Sequence, residues 1–291
     1  MSKRSVLVHL DCDDHPSVFD SVVAVDSGVE ILLRHAGVKP NQVRDLIHGA
    51  IFTRGPKDLN RTAVFVGGSN VEKAQEIYDE VRKALIPQYG LMVSSMMDGN
   101  GCNTTAVAAV RAVMKSVDCS HAHALVLAGT GPVGQRVASL LARQGCRVYL
   151  ASRQLEKAKL ISSKINSKKN SSMLEGVAVE SQDNISEFLQ KCEILVSCGA
   201  AGVRLVNKAT WKNTKIKVAV DLNGVPPDGI EGVEPLDKDI SKQGVKCYGA
   251  LGVGSFKMKL HKKCISALFE SNQLDLNEDS IFDLSASIGE T

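Results

Sequence analysis

The 291-residue sequence is poor in aromatic residues, close to neutral in charge and without a long apolar run. Seven Phe, four Tyr and one Trp offer few stacking surfaces, and a net charge of +3 is small, so nucleic-acid binding has little support. No apolar run approaches the roughly 20 residues of a membrane span, and the first residues lack the apolar core and cleavage site of a signal peptide. We therefore expect a cytoplasmic protein that binds neither nucleic acid nor membrane.

The spacings of cysteine and histidine that mark disulfide frameworks and metal sites are also missing. The eight cysteines contain no C-x-x-C pair and the seven histidines contain no H-x-x-x-H pair. We therefore expect reduced thiols, no disulfide framework and no metal site.

The sequence does contain a glycine-rich turn that joins an apolar run to an amphipathic run. The apolar run is Ala124–Ala128, Gly145 is placed to end the following helix, and a second strand is predicted at Arg147–Ala151. Strand, turn, helix and strand in this order are typical of a dinucleotide-binding unit, although glycine turns also occur where nothing binds. The predicted cofactor-binding residues of the turn are Gly129, Thr130, Gly131, Pro132, Val133 and Gly134.

The end of the second strand indicates which nucleotide binds. An NAD site usually carries an Asp or Glu there, which accepts a hydrogen bond from the ribose 2′-hydroxyl. This chain has Ser152 and Arg153 instead, with Lys157 one helical turn later. Because these side chains suit a 2′-phosphate, the sequence favours NADP, with NAD as a weaker alternative. The other interpretation is that Arg153 and Lys157 are solvated residues of a surface helix.

The residues before the glycine turn alternate between strand-like and helix-like patterns. This alternation predicts an open α/β sheet that ends near residues 118–121. The predicted strands are Val6–Leu10, Leu46–Phe52, Ala63–Val66 and Leu91–Met97, and the predicted helices are Ser17–Val25, Asn70–Leu85 and Thr104–Val117.

The residues after the glycine unit predict further strands of a parallel sheet. Three apolar runs read as central strands: Gly176–Glu180, Glu193–Ser197 and Val218–Asp221. Ser162–Glu175 reads as a solvated loop or a frayed helix end. Ala200 and Asn223 lie in loops that follow two of the strands, which makes them candidates for the nicotinamide side or simply turn residues.

The predicted fold class is therefore α/β, with an open α/β domain followed by a Rossmann-like domain with a parallel sheet. The last segment changes from a glycine-rich loop, Gly249–Gly254, to a helix that ends near Phe269. The predicted active site is the cleft between the two domains. These patterns alone lead to an NADP-dependent oxidoreductase or an NADP sensor.

Motifs in a shared order and spacing add a family resemblance over nearly the whole chain. The sequence resembles the NADP-dependent methylene-tetrahydromethanopterin and methylene-tetrahydrofolate dehydrogenases of bacterial one-carbon metabolism. The segments that carry the resemblance are Pro16–Asp20, Ile51–Gly55, Ala63–Gly68, Asp98 with Asn103–Ala106, Ala128–Gly134, Pro226–Ile230, and Gly249–Gly254 with Lys257–His261.

The resemblance implies reversible hydride transfer from the methylene bridge of a reduced pterin to NADP⁺, which gives the methenyl cation. It also implies a homo-oligomer, a pterin domain at residues 1–119 completed by residues 255–291, and an NADP domain at residues 120–254. The reaction moves no proton, so a sequence without an evident catalytic dyad, metal site or activated nucleophile is compatible with it.

The same resemblance assigns roles to residues outside the nucleotide unit. Asp20 and Lys257 are the predicted catalytic residues, although Asp20 can equally be an exposed helix residue and Lys257 part of a solvated basic face. His261 lies four residues after Lys257, a spacing that is more typical of a packed histidine. The predicted pterin-binding residues are Phe19, Thr53, Arg54, Asp98, Asn103, Thr104 and Thr105.

Each of these pterin-site predictions has a structural alternative. Phe19 can be a core residue, Arg54 can pair with a surface acid, and Asn103 is more typical of a helix cap. Thr53 and Arg54 are assigned to a ligand-facing loop because they follow a predicted strand.

Two other function classes stay open at this point. One is an NADP-dependent dehydrogenase of a small hydroxy or keto acid, which normally needs a proton-relay Lys, His or Tyr. The other is a non-catalytic NADPH-sensing protein, which would bind the dinucleotide without turnover.

Overall fold

The computed structural model describes residues 3–289, which fold into two compact units. The first unit runs to Thr104 and resumes at Met258, and the second unit is Thr105–Lys257. The predicted ligand-binding domains, 1–119 with 255–291 and 120–254, stay a prediction, and their residues 1, 2, 290 and 291 lie outside the described residues. Within residues 3–289, no helix is both long enough and apolar enough to cross a membrane.

Strands and helices alternate along most of the described chain. The strands are β1 (Val6–Asp11), β2 (Ile31–His35), β3 (Thr62–Gly67), β4 (Ser94–Met97), β5 (His123–Leu127), β6 (Arg147–Ser152), β7 (Leu174–Ala178), β8 (Ile194–Ser197), β9 (Val218–Asp221), β10 (Ile240–Lys242), β11 (Val245–Tyr248) and β12 (Asp275–Leu276). The α-helices are α1 (Val18–Asp26), α2 (Pro40–Ile51), α3 (Val71–Ala84), α4 (Cys102–Ser116), α5 (Pro132–Arg143), α6 (Leu155–Lys169), α7 (Gln182–Leu189), α8 (Lys208–Trp211), α9 (Ala250–Ala267) and α10 (Glu278–Leu284). Short 3₁₀ helices occupy Pro56–Arg61, Pro87–Tyr89, Gly99–Gly101 and Ser285–Ser287.

The first unit contains a five-stranded sheet in the order β12-β4-β3-β1-β2, with every pair of neighbours parallel. Its central strand β3 is buried at all six positions, as expected for a parallel strand covered on both faces. The helix α3 begins at the predicted cap, because the Asn70 side chain accepts a hydrogen bond from the Lys73 N–H at 3.0 Å. The α/β prediction for this part of the chain is confirmed.

Two elements of the first unit differ from the sequence predictions. The prediction of a strand at Leu46–Phe52 is wrong. Residues 46–51 form the last turns of α2, and Phe52 is the residue that caps this helix. The apolar residues Val43, Ile47 and Ile51 are fully buried and spaced by four, which is the period of a helix face. The edge strand β2 was not predicted, and the strand expected at Leu91–Met97 is shorter, beginning only at Ser94.

The second unit contains a seven-stranded sheet in the order β10-β11-β9-β8-β5-β6-β7. Its strands are parallel except for β10, which pairs antiparallel with β11 at one edge. A core that includes Leu125, Leu195 and Trp211 packs on this sheet. The predicted Rossmann-like domain with a parallel sheet is therefore confirmed.

The strand–turn–helix of the glycine motif has the predicted form. Pro132 is the first residue of α5, where its missing N–H would have no helical partner. At the other end, Gly145 follows the helix with φ +96°, a conformation that favours glycine. The chain then enters β6, as predicted.

Three predictions in the second unit need correction. The strand predicted at Gly176–Glu180 is β7, which lies at the edge of the sheet and not at its centre. Most of the segment expected to be a loop or frayed helix end continues α6 as far as Lys169. The glycine-rich stretch Gly249–Gly254 is not a loop, because α9 already begins at Ala250.

Close packing explains two of the glycines in that last stretch. A side-chain carbon on Gly249 would lie 1.9 Å from the Glu234 carbonyl oxygen, and one on Gly252 would lie 1.9 Å from that of Asp237. Both positions therefore need glycine because the backbone of residues 234–238 lies directly against the start of α9.

Candidate functional site

The second unit has a cavity of about 870 Å³ at the carboxyl ends of its parallel strands. This edge is where open α/β sheets bind ligands, and the volume is that of a small-molecule site. The structure brings five predicted cofactor residues together around it: Thr130, Ser152, Arg153, Lys157 and Ala200. Two charged residues that the sequence patterns did not indicate line the same cavity, Glu180 and Arg204.

The glycine turn has the dimensions of a phosphate-binding turn. A side-chain carbon on Gly134 would lie 2.7 Å from the Gly129 α-carbon and 2.8 Å from the Ala128 carbonyl oxygen, so α5 packs directly on the turn. Gly131 is different, because a side-chain carbon there meets only the Ala128 oxygen at 3.4 Å. Gly131 therefore leaves open space beside the first turn of α5, where backbone N–H groups lack helical partners and favour an anion.

The end of β6 presents no carboxylate to the cavity. Arg153 and Lys157 are exposed, and the Ser152 hydroxyl accepts a hydrogen bond from the Gln154 N–H at 3.2 Å. Arg204 makes a half-exposed ion pair with Glu231 at 3.3 Å. The residues present fit a nucleotide with a 2′-phosphate, because a cationic guanidinium and ammonium group border the cavity next to the ribose position of this fold.

Asn223 is buried and organises two loops. Its side-chain oxygen accepts from Gly202 N at 3.2 Å and from Val225 N at 3.0 Å, and its side-chain nitrogen donates to the Pro227 carbonyl at 2.8 Å. With these bonds made, the residue holds the loop after β8 against the loop after β9. Its predicted contact with the nicotinamide stays a prediction.

The loop after β9 also depends on Asp221, a buried carboxylate at the end of that strand. Its oxygens accept from Ile230 N at 2.9 Å and from Asn223 N at 3.2 Å. Burial raises the pKa of Asp221, and the hydrogen bonds to its carboxylate oppose that rise.

In the first unit, Asp20 lies among buried aromatic and histidine side chains near the carboxyl ends of β1 and β3. Burial raises the pKa of Asp20, the nearby His261 opposes the rise, and Asp98 adds to it by like-charge repulsion. The His261 ring stacks on Phe65 with centroids 5.7 Å apart and lies 6.3 Å from the Phe19 ring. His261 is only 1% exposed, which agrees with the interpretation of a packed histidine.

Asp98, Asn103 and Thr104 come together at the start of α4, and all three are fully buried. Asp98 accepts from Asn103 N at 2.8 Å, from Thr104 N at 3.1 Å and from the Thr104 hydroxyl at 2.6 Å. The Asn103 side-chain nitrogen donates to the Met97 carbonyl at 2.5 Å. These residues therefore anchor the helix, and their contacts with pterin, like that of the partly exposed Thr105, stay predictions.

Thr53 and Arg54 are not brought together with these residues. They follow the helix α2 rather than a strand, so the reason for placing them in a ligand-facing loop is wrong. The Arg54 guanidinium donates to the Arg61 carbonyl at 2.7 Å, immediately before β3 begins. Arg54 thus lies at the amino end of β3, whereas Asp20 lies near Gly67 at its carboxyl end.

Lys257 lies within α9, one helical turn before His261, and is partly exposed. The helix predicted for this residue is confirmed, although it begins earlier, at Ala250. Its role in catalysis stays a prediction.

Asp11, Cys12 and Asp13 lie close enough to one another to hold a metal ion. Their carboxylates are already engaged: Asp11 accepts from Asp13 N at 2.9 Å and Ser17 N at 2.9 Å, and Asp13 accepts from Ser69 N at 2.7 Å. These bonds stabilise the turn after β1, and we do not identify the cluster as a metal site.

Comparison with known proteins connects both units to dehydrogenases. Residues 18–100 match the family model of the methylene-tetrahydromethanopterin dehydrogenase N-terminal domain, and residues 111–240 match that of shikimate/quinate 5-dehydrogenase. Among solved structures, shikimate 5-dehydrogenase from Listeria monocytogenes superposes with a TM-score of 0.54 at 14% identity, covering 97% of this chain and 96% of that one. Quinate dehydrogenase from Corynebacterium glutamicum gives a TM-score of 0.52 at 12% identity, covering 98% and 100%. Likeness at this identity supports the fold alone.

Curated relatives match over nearly the full length. The bifunctional protein MdtA of Methylorubrum extorquens is 38% identical over 289 residues, 98% of each chain. The NAD(P)-dependent methylenetetrahydromethanopterin dehydrogenase of the same organism is 29% identical over 283 residues, 93% of each chain. The resemblance read from the sequence motifs is thus confirmed, and the chain belongs to the methylene-tetrahydromethanopterin dehydrogenase family.

Proposed function

We propose that this chain catalyses reversible hydride transfer from methylene-tetrahydromethanopterin to NADP⁺, which gives the methenyl form in one-carbon (formaldehyde oxidation) metabolism. The observation that carries the proposal is the 38% identity over 98% of the chain to a member of this family. The nucleotide-sized cavity beside the glycine turn of the second unit supports it. Methylene-tetrahydrofolate is a second candidate substrate.

The reaction requires the protein to bind and orient the pterin and the nucleotide and to exclude water, and it does not require a proton transfer. NADP⁺ supplies the hydride acceptor, and the carbon that loses hydride is stabilised as a cation by its two flanking nitrogens. Asp20 is suited to accept hydrogen bonds from the pterin and to favour the cation when ionised. In this proposal, Lys257 donates to the pterin carbonyl or a ring nitrogen, and Phe19 contacts the pterin ring.

We propose NADP rather than NAD as the preferred nucleotide. Ser152, Arg153 and Lys157 provide donors and positive charge, and the last residue of β6 is not an acid. The turn residues Gly129–Gly134 would hold the pyrophosphate at the start of α5. The named relative uses NAD(P), so a slower reaction with NAD⁺ is expected.

The first experiment is a spectrophotometric assay of the purified protein with each methylene pterin against NADP⁺ and NAD⁺. We expect reduced nicotinamide and methenyl absorbance to appear together, with faster turnover of the tetrahydromethanopterin substrate. Shikimate is the control, because the family model of shikimate/quinate 5-dehydrogenase matches only residues 111–240, which lie within the second unit. NADPH binding without turnover of any pterin would reject the proposal in favour of a sensor.

The cytoplasmic location and the homo-oligomer expected from the sequence remain predictions. Light scattering coupled to size-exclusion chromatography measures the oligomeric state, and a monomer at micromolar concentration would contradict that prediction.

A further inference from the structure

His9 is a polar residue inside the buried strand β1, and its side chain is 1% exposed. Its Nε2 atom has no hydrogen-bond partner among the described residues. The neighbouring Asp11 oxygen lies 3.4 Å away, which is ion-pair distance but long for a hydrogen bond, and it also accepts from Ser17 N at 2.9 Å. Because buried polar atoms are normally paired at shorter distance, a ring nitrogen with one loose contact requires an explanation.

The explanation lies in the close packing around Gly67, the last residue of β3. A side-chain carbon at Gly67 would lie 2.9 Å from His9 Nε2, 3.1 Å from Phe65 Cε1 and 3.4 Å from Asp20 Oδ2. Because Gly67 carries no side chain, the His9 nitrogen and the Asp20 carboxylate can both approach the same point beside its α-carbon, a position too crowded for any side chain. The edge-on contact with Phe65, at a centroid distance of 5.2 Å, fixes the orientation of the His9 ring.

Both carboxylates near His9 Nε2 are acceptors when ionised, so the complementary form of the ring carries its proton on this nitrogen. We propose that His9 is a positioning residue for Asp20: its Nε2–H, beside Gly67, faces the Asp20 carboxylate and holds it oriented towards the pterin. This inference rests on the proposed function and deepens it, because it assigns a second group to the pterin site.

The groups that face Asp20 determine in which direction its pKa changes when His9 is replaced. From its own helix, the Ser17 hydroxyl accepts from Asp20 N at 3.1 Å. His261 faces it from α9, Asp98 from the end of β4 and His9 from β1. Burial raises the pKa of Asp20 most, and His261 and His9 both lower it. Removing the His9 donor therefore leaves Asp20 protonated at a higher pH, and the acid limb of the pH–rate profile moves upward.

The matched variants are His9→Asn and His9→Gln. Both carry a neutral amide, but only the Gln side chain is long enough to place an N–H where Nε2 lies. We expect His9→Asn to lower kcat/KM for the methylene pterin about threefold or more on the acid limb of the pH–rate profile, with little change on its plateau. His9→Gln should restore most of the loss, and KM for NADP⁺ should be unchanged in both. His123→Gln is the control, since this half-buried histidine opens β5 in the other unit.

A second readout does not depend on turnover. Titration of the Asp20 carboxyl carbon by ¹³C NMR, assigned with Asp20→Asn, should show a higher midpoint in His9→Asn than in the wild type. An unchanged midpoint, or a His9→Gln profile that matches His9→Asn, would overturn the role of His9. Absence of pterin turnover in the wild type would instead reject the proposed function, while the titration still decides the inference.

Discussion

At the scale of single residues, the Asp20 carboxyl group lies in a place that disfavours charge. Burial raises its pKa in the folded protein above the value in the unfolded chain. A carboxyl group shifted in this direction contributes stability at pH values below about 4, and that contribution is lost as the pH rises through the raised pKa. The ionised form proposed for pterin binding is therefore held at a cost in stability.

Asp20→Asn is accordingly expected to unfold at a higher temperature than the wild type at pH 7, with activity about tenfold or more lower. The stability difference should shrink as the pH falls through the raised pKa of Asp20, because the wild-type carboxyl then becomes neutral as well. Thermal unfolding between pH 4 and 8 measures it. Asp26→Asn is the control on the same helix, since Asp26 forms an exposed ion pair with Lys262 at 2.8 Å, and its loss should give no gain. Equal unfolding curves for Asp20→Asn and the wild type at every pH would refute the argument.

Arg153 is expected to discriminate between the two nucleotides. A charge-assisted hydrogen bond contributes about 1.5–3 kcal/mol, so Arg153→Ala should raise KM for NADP⁺ roughly tenfold or more and leave KM for NAD⁺ nearly unchanged. The control is Lys168→Ala, because Lys168 is also exposed but lies in the last turn of α6. Equal effects on both nucleotides would remove Arg153 from the 2′-phosphate site.

Single residues also show which parts of the candidate site could be predicted from the sequence and which could not. The cavity residues Ser152 and Arg153 were predictable because their place after a strand is a local property. His9 was not singled out, although a histidine within an apolar strand is itself a signal of a buried polar group. Arg54 was misplaced because its environment depends on whether the preceding residues are strand or helix.

At the scale of elements, two glycines of the same turn are expected to have different roles: Gly134 is needed for packing, and Gly131 is needed for ligand binding. Gly134→Ala would place a carbon against backbone atoms at 2.7 Å and 2.8 Å, so it should destabilise the protein by about 1–3 kcal/mol. Gly131→Ala meets only one atom, at 3.4 Å, so the melting temperature should hardly change while NADP⁺ affinity falls. Calorimetry and thermal unfolding of the two variants test this contrast, and the prediction fails if Gly131→Ala binds NADP⁺ like the wild type.

The type of an element was predictable where its hydrophobic pattern, its length and the glycine or proline residues at its ends agreed, as in β5, α5 and β6. They were not predictable for Leu46–Phe52, where a short apolar run fits either a strand or one face of a helix. In Gly249–Gly254, the glycines serve close packing against residues 234–238 rather than a loop, and only the tertiary contact reveals this. The edge position of β7 depends on strand order, which local sequence does not encode.

At the scale of the whole molecule, nucleotide binding should raise the free energy of unfolding and therefore the melting temperature. A ligand that binds only the folded protein at 100 times its Kd stabilises it by about 2.7 kcal/mol. We expect NADP⁺ to raise the melting temperature more than NAD⁺ at the same concentration, and Arg153→Ala to remove the difference. Equal shifts by both nucleotides in the wild type would contradict the proposed preference.

Because β12 belongs to the sheet of the first unit but lies near the end of the chain, the first unit is completed only after the second unit has been synthesised. Asp275 of this strand bonds to Arg82 and Tyr78 of α3, and 193 residues separate Arg82 from Asp275. At translation rates of about 5–20 residues per second, the ribosome needs roughly 10–40 seconds to cover that interval. The second unit is continuous from Thr105 to Lys257, so its chain is whole before the last strand of the first unit has been made. Once β4 has been made, the nascent protein therefore spends the rest of that interval with the β4 edge of its first sheet uncovered, and this is when chaperones would have the most to protect.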